Sequence, residues 1–147
     1  MLNEDYKEML RCLSDAGVDF LVVGAFAMAV HGRPRATGDM DLWVVPARDN
    51  ARKVYAALAR FGAPLDQVDE TTFATPGVVF QIGVAPRRID IVTAIDGVDF
   101  DEARSDRCVI EMDGLTIPFI GKGDLIRNKR ATGRPKDRLD ADDLAAL

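Results

Sequence analysis

Two acids one position apart, Asp39 and Asp41, open the stretch Asp39-Met40-Asp41-Leu42-Trp43-Val44. In a strand, side chains alternate, so Asp39, Asp41 and Trp43 share one face while Met40, Leu42 and Val44 take the other. Adjacent carboxylates at an apolar strand repel each other unless a cation or a basic side chain lies between them. A hard divalent ion such as Mg²⁺ suits that place, held by one or two carboxylates together with substrate phosphates. Two solvated acids on an edge strand are the alternative reading of the same triplet. A third acid, Asp90, lies in Arg88-Ile89-Asp90-Ile91-Val92, where alternation turns Ile89 and Ile91 one way and Asp90 the other. An acid inside such a strand must be paired, metal-bound or aimed at an open edge. An ion pair with Arg88 or Arg35 meets that demand as well as a metal does, and spacing leaves both open. If the two strands are neighbours, three carboxylates converge on one face.

The elements that must position these acids follow from pattern. Asn3 is a plausible N-cap before Glu4 and Asp5, and Tyr6, Met9, Leu10 and Leu13 recur at helical spacing until Gly17. Residues 20–23 read as a short buried strand. After Gly24, the Ala-rich residues 25–30 read as a helix ending at His31-Gly32, and 32–35 as a loop. The Asp-x-Asp strand covers 39–45 and is closed by Pro46. Residues 49–61 are helical with Val54, Ala57, Leu58 and Phe61 on one face and Gly62 as terminator. Residues 63–76 show no clear period. Residues 78–84 and 88–94 form a hairpin around Ala85-Pro86-Arg87, and 109–112 and 115–119 a second around Asp113-Gly114. Two helices, 122–131 and 135–147, finish the chain, with Pro135 in a first-turn position. The expected architecture is α/β of the α+β kind: a mixed sheet flanked by helices, in a single domain over residues 1–147.

At 147 residues the chain buries roughly two thirds of its unfolded surface and needs no staple to fold. Hydrophobic residues at 48% and charged residues at 29% describe a globular protein and exclude disorder. The longest apolar run, Phe20 to Val30, is eleven residues and interrupted by Gly24, too short to span a bilayer. Met1 to Leu10 carries acids early and no apolar core, and Cys12 and Cys108 show no metal or disulfide spacing, so a cytoplasmic protein with reduced thiols is expected. A net charge of −5 argues against a general nucleic-acid coat. Within it, residues 121–138 hold seven Lys/Arg against two Asp, a basic segment suited to an anionic ligand.

Taken in order, these motifs resemble a known family. A strand ending in Gly, a short helix, an Asp-x-Asp strand and a later strand acid are similar to the signature of the nucleotidyltransferase superfamily with the DNA polymerase beta-like fold. Gly24-Ala25, His31-Gly32 and Arg35-x-Thr37-x-Asp39-x-Asp41-Leu42 look most like small bacterial members related to abortive-infection toxin enzymes. Lys129, then Arg134-Pro135-Lys136-Asp137-x-x-Asp140, is similar to that group's Lys…Lys-Asp-x-x-Asp ending. The resemblance implies a minimal nucleotidyltransferase fold with two C-terminal helices. It further implies two Mg²⁺ ions, replaceable by Mn²⁺, held by Asp39, Asp41 and Asp90, and a nucleoside triphosphate as donor. Asp90 would also help deprotonate the acceptor hydroxyl, and Lys129 would act on the transferring phosphate. Gly24, Ala25, Arg35, Thr37, Arg134 and Lys136 would contact the nucleotide, with Asp137 orienting one of the basic groups. Ala25 departs from the Ser or Gly of the superfamily and lacks a hydroxyl worth about 1 kcal/mol in a neutral hydrogen bond.

Two classes of function stand side by side. One is a metal-dependent enzyme moving a nucleoside monophosphate to an antibiotic, an RNA 3′ end or a protein hydroxyl. The other is a non-catalytic nucleotide- or protein-binding module of toxin–antitoxin type. With no length left for a second substrate domain, the acceptor must meet the core, a homodimer partner or another protein. The acidic balance disfavours large nucleic acids, while the basic segment keeps tRNA open. The remaining residues read as structural: His31 as a helix-end or packing residue, Trp43 as sheet packing, Cys12 and Cys108 as inert, and Asp140, Asp142 and Asp143 as a solvated helix face.

Overall fold

The computed structural model describes residues 2–35 and 38–147. Asn3 caps α1 (Glu4–Asp15), its side chain accepting from the Tyr6 N–H, and Tyr6, Met9, Leu10, Cys12 and Leu13 form the buried stripe. The fully buried strand β1 (Phe20–Val23) runs straight into α2 (Gly24–Val30). Strand β2 (Asp39–Val44) follows, then α3 (Arg48–Phe61), closed by Gly62 at φ 92 with its N–H on the carbonyls of Leu58 and Ala59. That left-handed cap is where glycine costs least, as the sequence implies. Strands β3 (Val79–Ile82) and β4 (Arg88–Val92) form the first hairpin. After α4 (Phe100–Ser105), strands β5 (Cys108–Met112) and β6 (Leu115–Phe119) form the second, turning through Asp113 and Gly114, both at positive φ. Helices α5 (Lys122–Ala131) and α6 (Pro135–Ala145) pack on each other at the end.

The six strands lie in the order β3-β4-β2-β1-β6-β5. Strand β2 is antiparallel to β1 and parallel to β4, and β1 is parallel to β6, so the sheet is mixed. Met40, Leu42, Ile89 and Ile91 are all at most 1% exposed and share a core with Met9, Leu10 and Leu13 of α1 and Val54 and Leu58 of α3. Truncating one such side chain to Ala costs about 2–5 kcal/mol, so this core holds the strands that carry the acids. Asn50 adds a polar staple: buried at the start of α3, it accepts from the Asp19 N–H and donates to the carbonyls of Asp19 and Val45. Each buried partner is satisfied, which fixes α3 to the ends of β1 and β2.

Two short elements lie outside the sequence expectations. A 3₁₀ turn, Glu70–Ala74, sits in the aperiodic stretch and is capped by Asp69 and Thr72 in a reciprocal box. Helix α4 is only six residues long and is capped by Asp99. Its Phe100 ring meets Trp43 edge-on at 4.8 Å, while Arg104 lies over Phe100 and pairs with Asp19 at 3.3 Å. Trp43 is therefore a packing residue, as read from sequence. No described helix is long and apolar enough to cross a membrane.

Candidate active site

Strand register brings the three acids together. In the antiparallel β1–β2 ladder Val23 faces Asp41, and in the parallel β2–β4 ladder Asp41 faces Asp90 while Asp39 faces Arg88. Asp39, Asp41 and Asp90 each offer a carboxylate oxygen, and these oxygens lie within 4.8 Å of one another. Asp39 and Asp41 are half-buried and Asp90 is buried. Gly24 makes room for this cluster. It sits at φ +70, and a Cβ there would collide with the Asp41 carboxylate. A glycine is required twice over, for its backbone and for the space it leaves.

Charge balance in the cluster is incomplete. Burial, with the charges of Asp39 and Asp90 added, pushes the Asp41 carboxyl from its usual 3.8 up to about 7, and Arg88 and Lys129 offset only part of this. Arg88 donates from Nε and Nη2 to the two oxygens of Asp90, at 3.1 and 2.9 Å. The ion pair and the carboxylate cluster, offered by the sequence as alternatives for Asp90, therefore coexist. The partner is Arg88; Arg35 pairs elsewhere. Tyr6 fixes the backbone at this end, its hydroxyl 3.0 and 3.1 Å from the carbonyl oxygens of Pro86 and Arg88.

A cleft of about 460 Å³ opens over Asp39 and Asp41. Gly24, Ala25 and Met28 of α2 form part of its wall, and Arg35, Lys129, Arg134, Lys136, Asp137 and Asp140 form the polar remainder. Lys129 is held by Asp137 at 3.4 Å and Asp140 at 3.5 Å, with its side chain 14% exposed. Burial alone would raise the Asp137 pKa. A 2.7 Å hydrogen bond from the Thr132 hydroxyl and the charges of Lys129 and Arg134 outweigh it, holding that carboxyl below its ordinary value. Arg134 reaches Asp137 at 2.8 Å from an exposed position, and Lys136 is exposed at the rim.

Every residue expected at the site thus meets at this cleft or its carboxylate floor, except Thr37, which lies outside the described residues. One expectation is corrected. Asp140, Asp142 and Asp143 were expected to form a solvated helix face, yet Asp140 is 4% exposed and binds Arg35 at 2.6 Å as well as Lys129. Asp143 shares Arg35 at 3.2 Å, and only Asp142 is solvated as expected, 72% exposed at its side chain and 3.7 Å from Arg130. The missed signal is the i, i+3 spacing of Asp137 and Asp140, which places both acids on the same side of α6 as the buried Ala141 and Leu144. His31 acts structurally, its Nε2 donating to the Ile120 carbonyl at 2.7 Å, and Cys12 is buried.

A mixed α+β sheet whose adjacent strands converge three carboxylates under a basic helical wall defines the nucleotidyltransferase class of fold. The chain belongs to the family described as "Nucleotidyl transferase of unknown function (DUF2204)", whose model matches residues 2–146. A solved structure from Thermotoga maritima, provisionally named a nucleotidyltransferase, superposes with a TM-score of 0.59 at 16% identity, covering 99% of this chain and 94% of its own. At that identity the likeness is one of fold. No curated protein is similar enough in sequence to serve as a relative.

Proposed function

We propose that residues 1–147 form one catalytic domain, a cytoplasmic metal-dependent nucleotidyltransferase that moves a nucleoside monophosphate from a nucleoside triphosphate to a hydroxyl. The observation that carries this reading is the meeting of Asp39, Asp41 and Asp90 at the floor of a cleft with a basic wall. The acids fit a hard divalent cation: their donors are all oxygen, and burial together with the charges of Asp39 and Asp90 pushes the Asp41 carboxyl up to about 7. Asp39, Asp41 and Asp90 would hold Mg²⁺ ions, which when bound stabilise charge on the attacking and leaving oxygens.

The chain's own residues do the rest. Lys129, oriented by Asp137 and Asp140, presents its ammonium inside the cleft to the phosphates. Arg134 and Lys136 at the rim bind the triphosphate, and the backbone beginning α2 at Gly24 and Ala25 approaches it with nothing larger than a methyl group between. The acceptor oxygen attacks the α-phosphorus, the bond to the α–β bridging oxygen breaks, pyrophosphate leaves, and the hydroxyl proton passes to Asp90. Mn²⁺ with a nucleoside triphosphate raises the melting temperature of the wild type by ligand linkage. The double variant Asp39→Asn/Asp41→Asn folds but loses that shift. Equal shifts in both proteins place the ligand elsewhere and defeat the proposal.

A further inference from the structure

The acceptor side of the site has a chemistry of its own, and reading it rests on the function proposed above. The basic groups of the cleft stand on its helical side: Lys129 from α5, Arg134 at the N-cap of α6, Lys136 in its first turn, and Arg35 tied to Asp140 of α6. Asp39 and Asp41 line that cleft, whereas Asp90, one strand further out, is not part of its lining. Among the described residues, the strand beyond Asp90 is the edge strand β3, whose Gln81 faces Asp90 across the ladder and is exposed. In a displacement at phosphorus the entering and leaving oxygens are roughly in line. Pyrophosphate drawn to the basic helices therefore leaves the β4–β3 edge as the side from which the acceptor enters.

The side chains at that edge select by charge. From residue 79 to 92, Arg88 and Asp90 share this face, while Arg87 alternates to the other and pairs with Asp5 at 3.4 Å. Arg88 spends Nε and Nη2 on Asp90, and among the described residues its Nη1 makes no hydrogen bond. Its side chain is 37% exposed, so a guanidinium fixed along one edge offers its other edge to solvent. A planar, pre-oriented guanidinium favours phosphate oxygens. A polycationic amino sugar would meet the Arg88 cation there, with Asp90 already paired to it and Asp39 and Asp41 committed to the cations proposed above.

We propose that the β4–β3 edge beside Asp90 is the acceptor subsite and that it takes a hydroxyl compound carrying a phosphate close to that hydroxyl. The Nη1 edge of Arg88 binds the phosphate, and the Gln81 amide bonds the neighbouring hydroxyls. A phosphorylated small molecule and the end of an RNA strand present this same chemistry.

The test uses the full chain with Mg²⁺ and an α-labelled nucleoside triphosphate. Four acceptors are compared: adenosine, adenosine 5′-monophosphate, a short RNA oligonucleotide and kanamycin. The monophosphate, the oligonucleotide or both are used about tenfold better than adenosine, the worth of one charge-assisted contact, and which of the two prevails identifies the source. Arg88→Gln raises KM for the phosphate-bearing acceptor by about tenfold with a smaller change in kcat, and Gln81→Glu erodes the same preference. Without donor or metal, the Arg88 Nε–H resonance shifts on adding the monophosphate but not adenosine. Equal use of adenosine and its monophosphate, preference for kanamycin, no transfer to either phosphate-bearing acceptor, or an Arg88→Gln loss confined to kcat on every acceptor overturns the subsite. If pyrophosphate is released while any of these holds, the subsite alone falls. A wild type that neither binds nor consumes any nucleoside triphosphate removes both this inference and the function on which it rests.

Discussion

Replacing Asp41 by Asn separates the cost of the carboxylate cluster from its use. In the metal-free protein the Asp41 carboxyl is pushed from 3.8 up to about 7, first by burial and then by Asp39 and Asp90. The folded state therefore binds this proton more tightly than the unfolded state. Stability falls as pH rises from about 4 to about 7 and stays low above it. About three pH units at 1.36 kcal/mol each set a ceiling of about 4 kcal/mol, and relaxation of the half-buried site brings it nearer 2 kcal/mol. Asn keeps the shape of the protonated acid and never ionises. Asp41→Asn should accordingly melt higher than wild type at pH 8 in EDTA, by about 4–8 °C for a domain of this size. The gain should shrink toward zero as the pH approaches 4. Adding Mn²⁺ at pH 8 should reverse the order, because only the wild type gains a ligand. Differential scanning fluorimetry at pH 4.5, 6 and 8, with and without metal, reads all of this. A variant no more stable than wild type at pH 8 in EDTA would refute the claim that the cluster is electrostatically strained.

Three further outcomes follow from the same geometry. Gly24→Ala should lose about 1–3 kcal/mol in denaturant unfolding and weaken Mn²⁺ binding, since the new Cβ meets the Asp41 carboxylate at a positive φ; an unchanged Mn²⁺ affinity would count against the close approach. Lys129→Ala should slow transfer about a hundredfold or more in a single-turnover assay, and should cost about 1–3 kcal/mol of stability because Asp137 and Asp140 lose a shared cation. Asp140→Asn, which loosens both Arg35 and Lys129, should raise KM for the nucleoside triphosphate by several-fold with the fold intact by circular dichroism.

Much of this was legible in the sequence because the site rides on strongly patterned elements. The alternation in β2 and β4 sorted Asp39, Asp41 and Asp90 from Met40, Leu42, Ile89 and Ile91, and the ladder register bears that sorting out. Gly17, Gly62 and Asp113-Gly114 marked boundaries that the backbone keeps at positive φ. Two things were not legible. Helix α4 buries only Phe100 and Ala103, too few positions to show a period, and its hold on the fold comes from distant Trp43 and Asp19. Asp140 looked like one of several exposed acids, because the partners that bury it, Arg35 and Lys129, come from a loop more than a hundred residues away and from the preceding helix.

The most direct test of the account is transfer itself. Wild-type protein and Asp39→Asn/Asp41→Asn are each incubated with α-labelled nucleoside triphosphates, Mg²⁺ or Mn²⁺ and cell lysate, and labelled acceptor and pyrophosphate are followed together. Label should move to an acceptor with equimolar pyrophosphate release, only with metal and only in the wild type. Labelled nucleotide that the wild type binds but never transfers, with no pyrophosphate released, would contradict the enzyme and leave a nucleotide-binding module in its place.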